Sequence, residues 1–358
     1  MSVRNAIVVV VAVLTLGVGF APAATPKRAN LASIARELVK SGAPGAVVYV
    51  RTPAGARAGV AGYANRSAHV SMRASDRYRI ASVTKAFVSV VTLQLEAEGK
   101  LDIDDPVAKY LPGVVPNGSA ISLRELMNHT SGLFNYTDDA AFVSDPITNF
   151  SRPWTPQELL ALAFAHPPNF APGTNWSYSN TNYIVLGLVV EAVTGKPLGQ
   201  VLQERIFTPL ALTSTSFPLT IALAPDFVHG YVRLPGAALI DISAGLDPTW
   251  GWAAGAIVSN ARDVTAFYRG LFTRKLLPAA QLDELETATP AAGTYGLGIV
   301  NTSPACGRAF THEGDFLGWQ NIAYSTANGR RQAVVMVNVN YADNDRLVTL
   351  AEKALCRG

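Results

Sequence analysis

The chain has 358 residues, 49% hydrophobic and 15% charged. That balance excludes a disordered chain and fits one large domain, or a domain carrying an inserted subdomain. The net charge of +3 is weak and scattered along the sequence, which argues against a nucleic-acid partner.

The chain opens with MSVRNAIVVVVAVLTLGVGFAPA, where Arg4 precedes an apolar run from Ala6 to Phe20 and small residues follow. That run, about fifteen residues, falls short of the roughly 20 needed to span a bilayer. Residues 1–23 therefore read as a cleaved export signal, and 24–358 as the mature chain, secreted or periplasmic and without a stable membrane span. Residues 45–51 (GAVVYVR) and 57–63 (RAGVAGY) read as two strands joined by a Pro/Gly turn. A helix is predicted from Ser82 to Glu98 and stopped by Gly99; its apolar residues cover almost the whole circumference, which predicts a central, buried helix. From Asp102 to Asp247 the chain is rich in Pro, Asn and Thr between helical runs at 122–128, 156–165, 183–194 and 198–206. A helix follows at 261–273. Strands are expected near 295–300, 308–313, 319–325 and 332–339, and a last helix at 342–355. ANGR at 327–330 is a good hairpin turn. Strands at both ends with helices between predict an α+β fold: 24–101 and 252–358 build an antiparallel sheet flanked by helices, and 102–251 form a mostly helical insertion. The two cysteines, Cys306 and Cys356, suit a disulfide in an exported chain, with two buried thiols as the alternative. Closing about 50 residues contributes on the order of 4 kcal/mol in the chain-entropy model.

Three short motifs carry chemistry. Ser82 and Lys85, in IASVTKAF, form a Ser-x-x-Lys at a predicted helix start. Residues i and i+3 share a helix face, so the side chains can touch. A serine needs a base to take its proton, and a lysine desolvated in a buried helix becomes one. Taken alone, a first-turn serine beside a snorkelling lysine explains the pair as readily. Tyr178 and Asn180, in NWSYSNTNY, point the same way from an extended loop; a tyrosine near a lysine cation loses its proton more easily. A buried tyrosine before an Asn cap is the plainer alternative. His312 and Gly314, in THEGDFLG, end a strand pattern, where glycine lets a ligand approach the backbone. A metalloprotease zinc site would need a second His at 316, and the chain has Phe316; no metal or organic cofactor is indicated. There is also no G-x-S-x-G.

In this order, S-x-x-K, Y-x-N and H-x-G, the chain resembles the active-site serine penicillin-recognising family: class C β-lactamases, secreted D-Ala-D-Ala carboxypeptidases (serine peptidase family S12) and related esterases. The resemblance spans nearly all of the mature chain, through segments such as LRELMNHTSGLFNYT, APGTNWSYSNTNYIVLGLVVEAVTG and YGLGI. It implies a β-lactamase/transpeptidase-like fold and a hydrolase that is acylated on Ser82. Lys85 and Tyr178 would move protons, Asn180 would bind the acyl-side amide, and His312 would shape the proton network. The backbone N–H groups of Ser82 and Asp315 would form the oxyanion hole. Trp250 would line the cleft, with Phe142 as a second candidate for the same wall. The expected partners are a small peptide, amide or ester, peptidoglycan-derived among the options, with β-lactams as covalent ligands and the enzyme a monomer.

One departure bears on substrate. The carboxypeptidases carry Thr-Gly-Thr after the His, and this chain has Glu313-Gly314-Asp315. Two acids facing the cleft would repel a substrate carboxylate. The arginine that grips that carboxylate in relatives falls near Val300, with Arg308 as the available substitute. The expected substrate is therefore a D-amino-acid peptide or amide, an ester, or a peptide with a free amine near Glu313 or Asp315. The leading reading is a D-Ala-D-Ala carboxypeptidase-like peptidase acting on D-amino-acid peptides or amides; an esterase, a β-lactamase and a non-catalytic penicillin sensor are the alternatives. His129 reads as structural; His69, His166 and His229 as solvated or core-satisfied; Trp252 and Trp319 as packing.

Overall fold

The structure is a computed structural model that describes residues 28–144, 150–222, 224–233, 238–340 and 343–358; the leader read at 1–23 lies outside them. The strands, in chain order, are β1 Gly45–Thr52, β2 Gly55–Asn65, β3 Val70–Ser71, β4 Tyr78–Arg79, β5 Tyr231–Arg233, β6 Leu239–Asp241, β7 Val258–Ser259, β8 Val300–Thr302, β9 Ala309–Phe316, β10 Trp319–Thr326 and β11 Gln332–Val337. Seven of them make one sheet in the order β3-β2-β1-β11-β10-β9-β8, and β4/β7 and β5/β6 form small ribbons. The two ends of the chain meet in the middle of the large sheet, where β1 pairs antiparallel with β11 from Ala46↔Val337 to Arg51↔Gln332.

β1 reads as a continuous apolar run because both of its faces are covered. Ala46, Val48 and Val50 pack with the helices Leu31–Lys40 and Asn344–Arg357. Val47 enters the larger core on the other face, built around the helix Thr84–Ala97. Every residue of that helix from Thr84 to Leu93 is buried, which is why its apolar positions run all the way round. Phe87 stacks on Phe267 of the helix Ala261–Phe272 at 3.6 Å between centroids. The shorter helices Leu123–Met127 and Pro156–Phe164 each begin in a capping box, Ser122 with Glu125 and Thr155 with Glu158, a device worth about 1 kcal/mol.

Four features differ from the sequence reading. The helix at Leu31–Lys40, with Leu31, Ile34, Ala35 and Leu38 buried and Asn30 as cap, stands where no element is predicted, although its spacing is helical. Ala279–Glu286 is a second such helix, short and burying only Leu282 and Leu285. The strand expected at 295–300 begins only at Val300. Residues 295–299 instead turn toward the helical core through Gly298, at φ 81°. A Cβ there would lie 2.4 Å from Ser89 Oγ. Lastly, the long helix starts at Thr84, after a separate 3-10 turn at Ala81–Val83.

Cys306 and Cys356 are disulfide-bonded, Cα to Cα 5.2 Å. The bond fastens the last helix to the segment that leads into β9. Among the described residues no single helix is long and apolar enough to cross a membrane.

Candidate active site

Ser82 sits on the 3-10 turn, just after Ala81, whose φ of 50° is left-handed. For alanine this conformation costs roughly 1–2 kcal/mol. Such strain persists only where the surroundings impose it, and β9 crosses this turn closely. A Cβ added at Gly314 would lie 2.2 Å from the carbonyl oxygen of Ile80. The glycine is thus required by the protein's own backbone, and the sequence reading of a ligand's close approach is corrected to that extent.

Lys85 is fully buried. Its Nζ contacts Ser82 Oγ at 3.0 Å, Asn180 Oδ1 at 2.8 Å and the Ala254 carbonyl at 2.8 Å. Two of these three partners can only accept. A neutral amine places its two N–H bonds on them and turns its lone pair to the hydroxyl of Ser82. Burial with no carboxylate beside it pushes the Lys85 pKa well below its usual value, so the neutral form is within reach.

The loop at 131–137 is stitched to the start of the helix Asn180–Thr194. Asn180 N–H donates to Asn135 Oδ1 at 2.9 Å, Ser131 Oγ donates to Asn182 Oδ1 at 2.6 Å, and Thr181 Oγ1 donates to the Phe134 carbonyl at 2.7 Å. This stitching aims Asn180 at Lys85. The Tyr178 ring lies 4.9 Å from Lys85 Nζ, and burial, the largest influence, raises the Tyr178 pKa. The idea that a lysine cation frees the tyrosine proton is thereby corrected: the same burial that lowers the Lys85 pKa raises that of Tyr178.

Below Tyr178 runs a chain of hydrogen bonds whose proton positions follow from the partners. His312 Nδ1 lies 2.6 Å from the Glu313 carbonyl, which only accepts, so Nδ1 carries the hydrogen. His312 Nε2 therefore accepts from the Tyr295 hydroxyl at 2.8 Å. His129 Nδ1 accepts from the Ser179 N–H at 3.2 Å and Asn182 Nδ2 at 3.1 Å. Its Nε2–H then donates to the Tyr295 oxygen at 3.2 Å. Burial first, then the Lys85 charge, lowers both histidines, His312 to about 3 and His129 well below its usual value. Both are neutral at pH 7. His129, read as structural, is thus the far end of this chain, and its ring packs against Tyr178 at 4.3 Å between centroids. Tyr295 carried no functional signal in the sequence beyond the family-like YGLGI. It arrives through the turn that replaced the expected strand.

A small cavity of about 40 Å³ opens at Ser82, lined among others by Tyr136, Asn180, Trp250, Asp315 and Phe316. Trp250 stacks between Phe150 at 5.0 Å and Phe316 at 4.1 Å between centroids. Tyr136, not singled out from sequence, donates from its hydroxyl to the Trp250 carbonyl. Phe142 is 1% exposed and supports this wall from behind.

Of the two acids read as facing the substrate, Asp315 lines the cavity at Ser82 and Glu313 does not. Alternation along β9 sends Phe310, His312 and Phe316 toward the core around the Thr84–Ala97 helix, and Ala309, Glu313 and Asp315 toward the opposite face. Glu313 Oε2 accepts from Asn344 Nδ2 at 2.9 Å, and Asp315 Oδ1 from Asn340 Nδ2 at 2.8 Å. Desolvation, with some help from the Glu313 charge, still pushes the Asp315 carboxyl up to about 6. Arg308 is corrected as well. It precedes β9 at the strand's far end and pairs with Glu286 at 3.2 Å. Of the remaining histidines, His166 pairs with Asp139 at 2.8 Å and His229 with Asp241 at 2.7 Å, and His69 packs edge-on against Tyr63. Trp252 and Trp319 are buried.

A serine hydroxyl facing a buried amine beside a phenol and an amide is the arrangement of a serine acyl-transfer site. The Beta-lactamase family model matches residues 31–355, and the chain belongs to that family. It is a serine hydrolase of the β-lactamase/transpeptidase-like fold. The D-stereospecific amidohydrolase from Streptomyces sp. is 35% identical, with a TM-score of 0.84 over 91% of this chain and 98% of that one. The D-amino acid amidase from Ochrobactrum anthropi SV3 in complex with L-phenylalanine amide is 25% identical, with a TM-score of 0.80 over 91% and 96%. In sequence the chain is 28% identical to the putative penicillin-binding protein PbpX of Bacillus subtilis (strain 168), over 80% of this chain and 68% of that protein. It is also 28% identical to a D-aminopeptidase of Brucella ovis over 82% of its own length, but spans only 56% of that enzyme.

Proposed function

We propose that the protein hydrolyses amides and short peptides of D-amino acids through an acyl-enzyme on Ser82. The observation that carries this is the Lys85 amine, held by two carbonyl-type acceptors with its third contact on Ser82 Oγ. The substrate class is supported by the amidases and D-aminopeptidases the chain is similar to. It also fits a cleft in which neither Arg308 nor residue 300 offers a cation to a terminal carboxylate.

In the reaction, Ser82 Oγ attacks the amide carbon and its proton passes to Lys85. The backbone N–H groups of Ser82 and Asp315 hold the oxyanion, an interaction worth about 10²–10³-fold per donor. The C–N bond breaks as Lys85, through the Tyr178 hydroxyl, returns the proton to the leaving amine. Water then attacks the ester, gives its proton to the same relay, and releases the acid and free Ser82. Asn180 orients the acyl-side amide, Trp250 forms the wall, and His312 fixes the local network from beneath.

The test is turnover of D- and L-phenylalanine amide, a D-Ala-D-Ala peptide, a nitrophenyl ester and a fluorescent penicillin, on wild type and S82A. We expect D-amide turnover above L, lost in S82A. Fast turnover of the D-Ala-D-Ala peptide alone, or an active S82A, overturns the reading. Rapid turnover of the penicillin reassigns the enzyme as a β-lactamase, and ester turnover without amide turnover as an esterase. We also place the mature enzyme outside the cytoplasm; sequencing of the exported protein should find its first residue near Ala24.

A further inference from the structure

We propose that the end of the molecule remote from Ser82 is a binding groove for a linear phosphate polymer. Two adjoining cavities of about 580 and 390 Å³ share Pro53 and Arg331. Arg308, Arg330 and Arg331 line the first, and Arg28, Arg57, Arg331 and Arg357 the second. These arginines come from the start of the described chain, the entry to β9, the first residues of β2, the turn β10–β11 and the end of the last helix. The Cys306–Cys356 disulfide joins two of those segments.

Neither lining contains an aspartate or a glutamate. Among the described residues only Arg308 of the six pairs with a side-chain carboxylate, Glu286 at 3.2 Å. Arg57 reaches the backbone carbonyl of Ala29 at 3.4 Å, and Arg331 an oxygen of the last residue, Gly358, at 3.2 Å. Arg331 Nε is buried and has no acceptor at all. Arg357 also lines a third cavity, together with Glu352 and Lys353, two charges of opposite sign. Elsewhere Arg124, Arg205 and Arg346 are each answered by an acid.

Six guanidinium groups around one groove repel one another unless an anion answers them. Their planar forks fit phosphate oxygens in pairs. Six charges spread over two adjoining cavities suit a ligand with several charges in a row, more than a single phosphate ion. No aromatic side chain lines either cavity, so the stacking surface that single-stranded nucleic acid uses is missing. Arg308 and Gly314 lie toward opposite ends of β9, about 20 Å apart at roughly 3.3 Å per residue. The groove can therefore be filled while the cleft works.

The test uses the mature protein and fluorescently labelled long-chain inorganic polyphosphate, read by anisotropy at several salt concentrations. Wild type should bind. R330A/R331A should bind at least tenfold more weakly, with a salt slope flatter by about two. R152A/R205A, on paired arginines elsewhere, should stay within twofold, and amide hydrolysis should be unchanged in both. Arg57 is exposed, so R57A gives the same reading with a milder loss if the double variant is unstable. Three results overturn the proposal: no binding at about 50 mM salt, equal binding by R330A/R331A and R57A, or tighter binding of a single-stranded DNA of matched charge. The last assigns the groove to nucleic acid.

Discussion

The floor and the rim of the cleft are built by opposite rules. On the floor, Lys85, His129 and His312 are buried and each polar atom has a fixed partner. At the rim, Glu313 and Asp315 are exposed and each carboxylate is held by one asparagine. On the floor, removing one partner strands others in a low-dielectric space, where an unmet polar group costs about 1–3 kcal/mol. At the rim, each carboxylate has one asparagine partner to lose. Chemistry is therefore rigid here and substrate choice is free to vary.

Five substitutions probe that contrast, from the largest effect to the smallest. Lys85→Met should lower kcat/KM for a D-amino-acid amide by about 10³-fold or more, because it removes the proton acceptor from Ser82; a loss below tenfold would show that the lysine is not the base. Gly314→Ala should destabilise the fold by about 3 kcal/mol in denaturant unfolding, through the contact with the Ile80 carbonyl, and should lower activity with it. Tyr295→Phe should lower kcat/KM about tenfold and move the acid limb of its pH profile upward. The sign follows from the hydrogen bond: the Tyr295 hydroxyl donates to neutral His312, so losing it lets that pKa rise from about 3 toward the usual histidine value. An unchanged acid limb would separate His312 from the reaction. Glu313→Gln and Asp315→Asn should change turnover of an uncharged amide by less than about threefold. For a substrate with a free amine, the Asp315 variant should also remove a dependence of KM on pH near 6. Effects on the scale of Lys85→Met would erase the distinction between rim and floor.

The same contrast explains what the sequence disclosed. Ser82, Lys85, Tyr178 and Asn180 stand in short motifs because each pair is fixed by local geometry, three residues along a turn or two along an extended loop. The sheet was legible because strand patterns at both ends needed each other. Tyr295 was not legible: its role depends on a chain reversal at Gly298 that local pattern read as a strand. Nor was the direction of Glu313 and Asp315, since alternation along β9 fixes two faces without saying which meets the cleft. The arginines at 28, 57, 308, 330, 331 and 357 looked scattered because folding, not sequence, gathers them. The helix at Leu31–Lys40 is legible in its spacing and its Asn30 cap.

β9 also sets how this enzyme can change over generations. Positions 312, 314 and 316 face the protein's own interior, and 313 and 315 face outward beside them. Saturation mutagenesis across the strand should return a striped pattern of tolerance, closed at the even positions and open at the odd ones, with 314 accepting glycine alone. A lineage can then try new acids, amides or hydroxyls at 313 and 315, one substitution at a time, without disturbing Ser82. New specificities lie within single steps of this sequence, while loss of Gly314 is a step from which no neighbouring change returns.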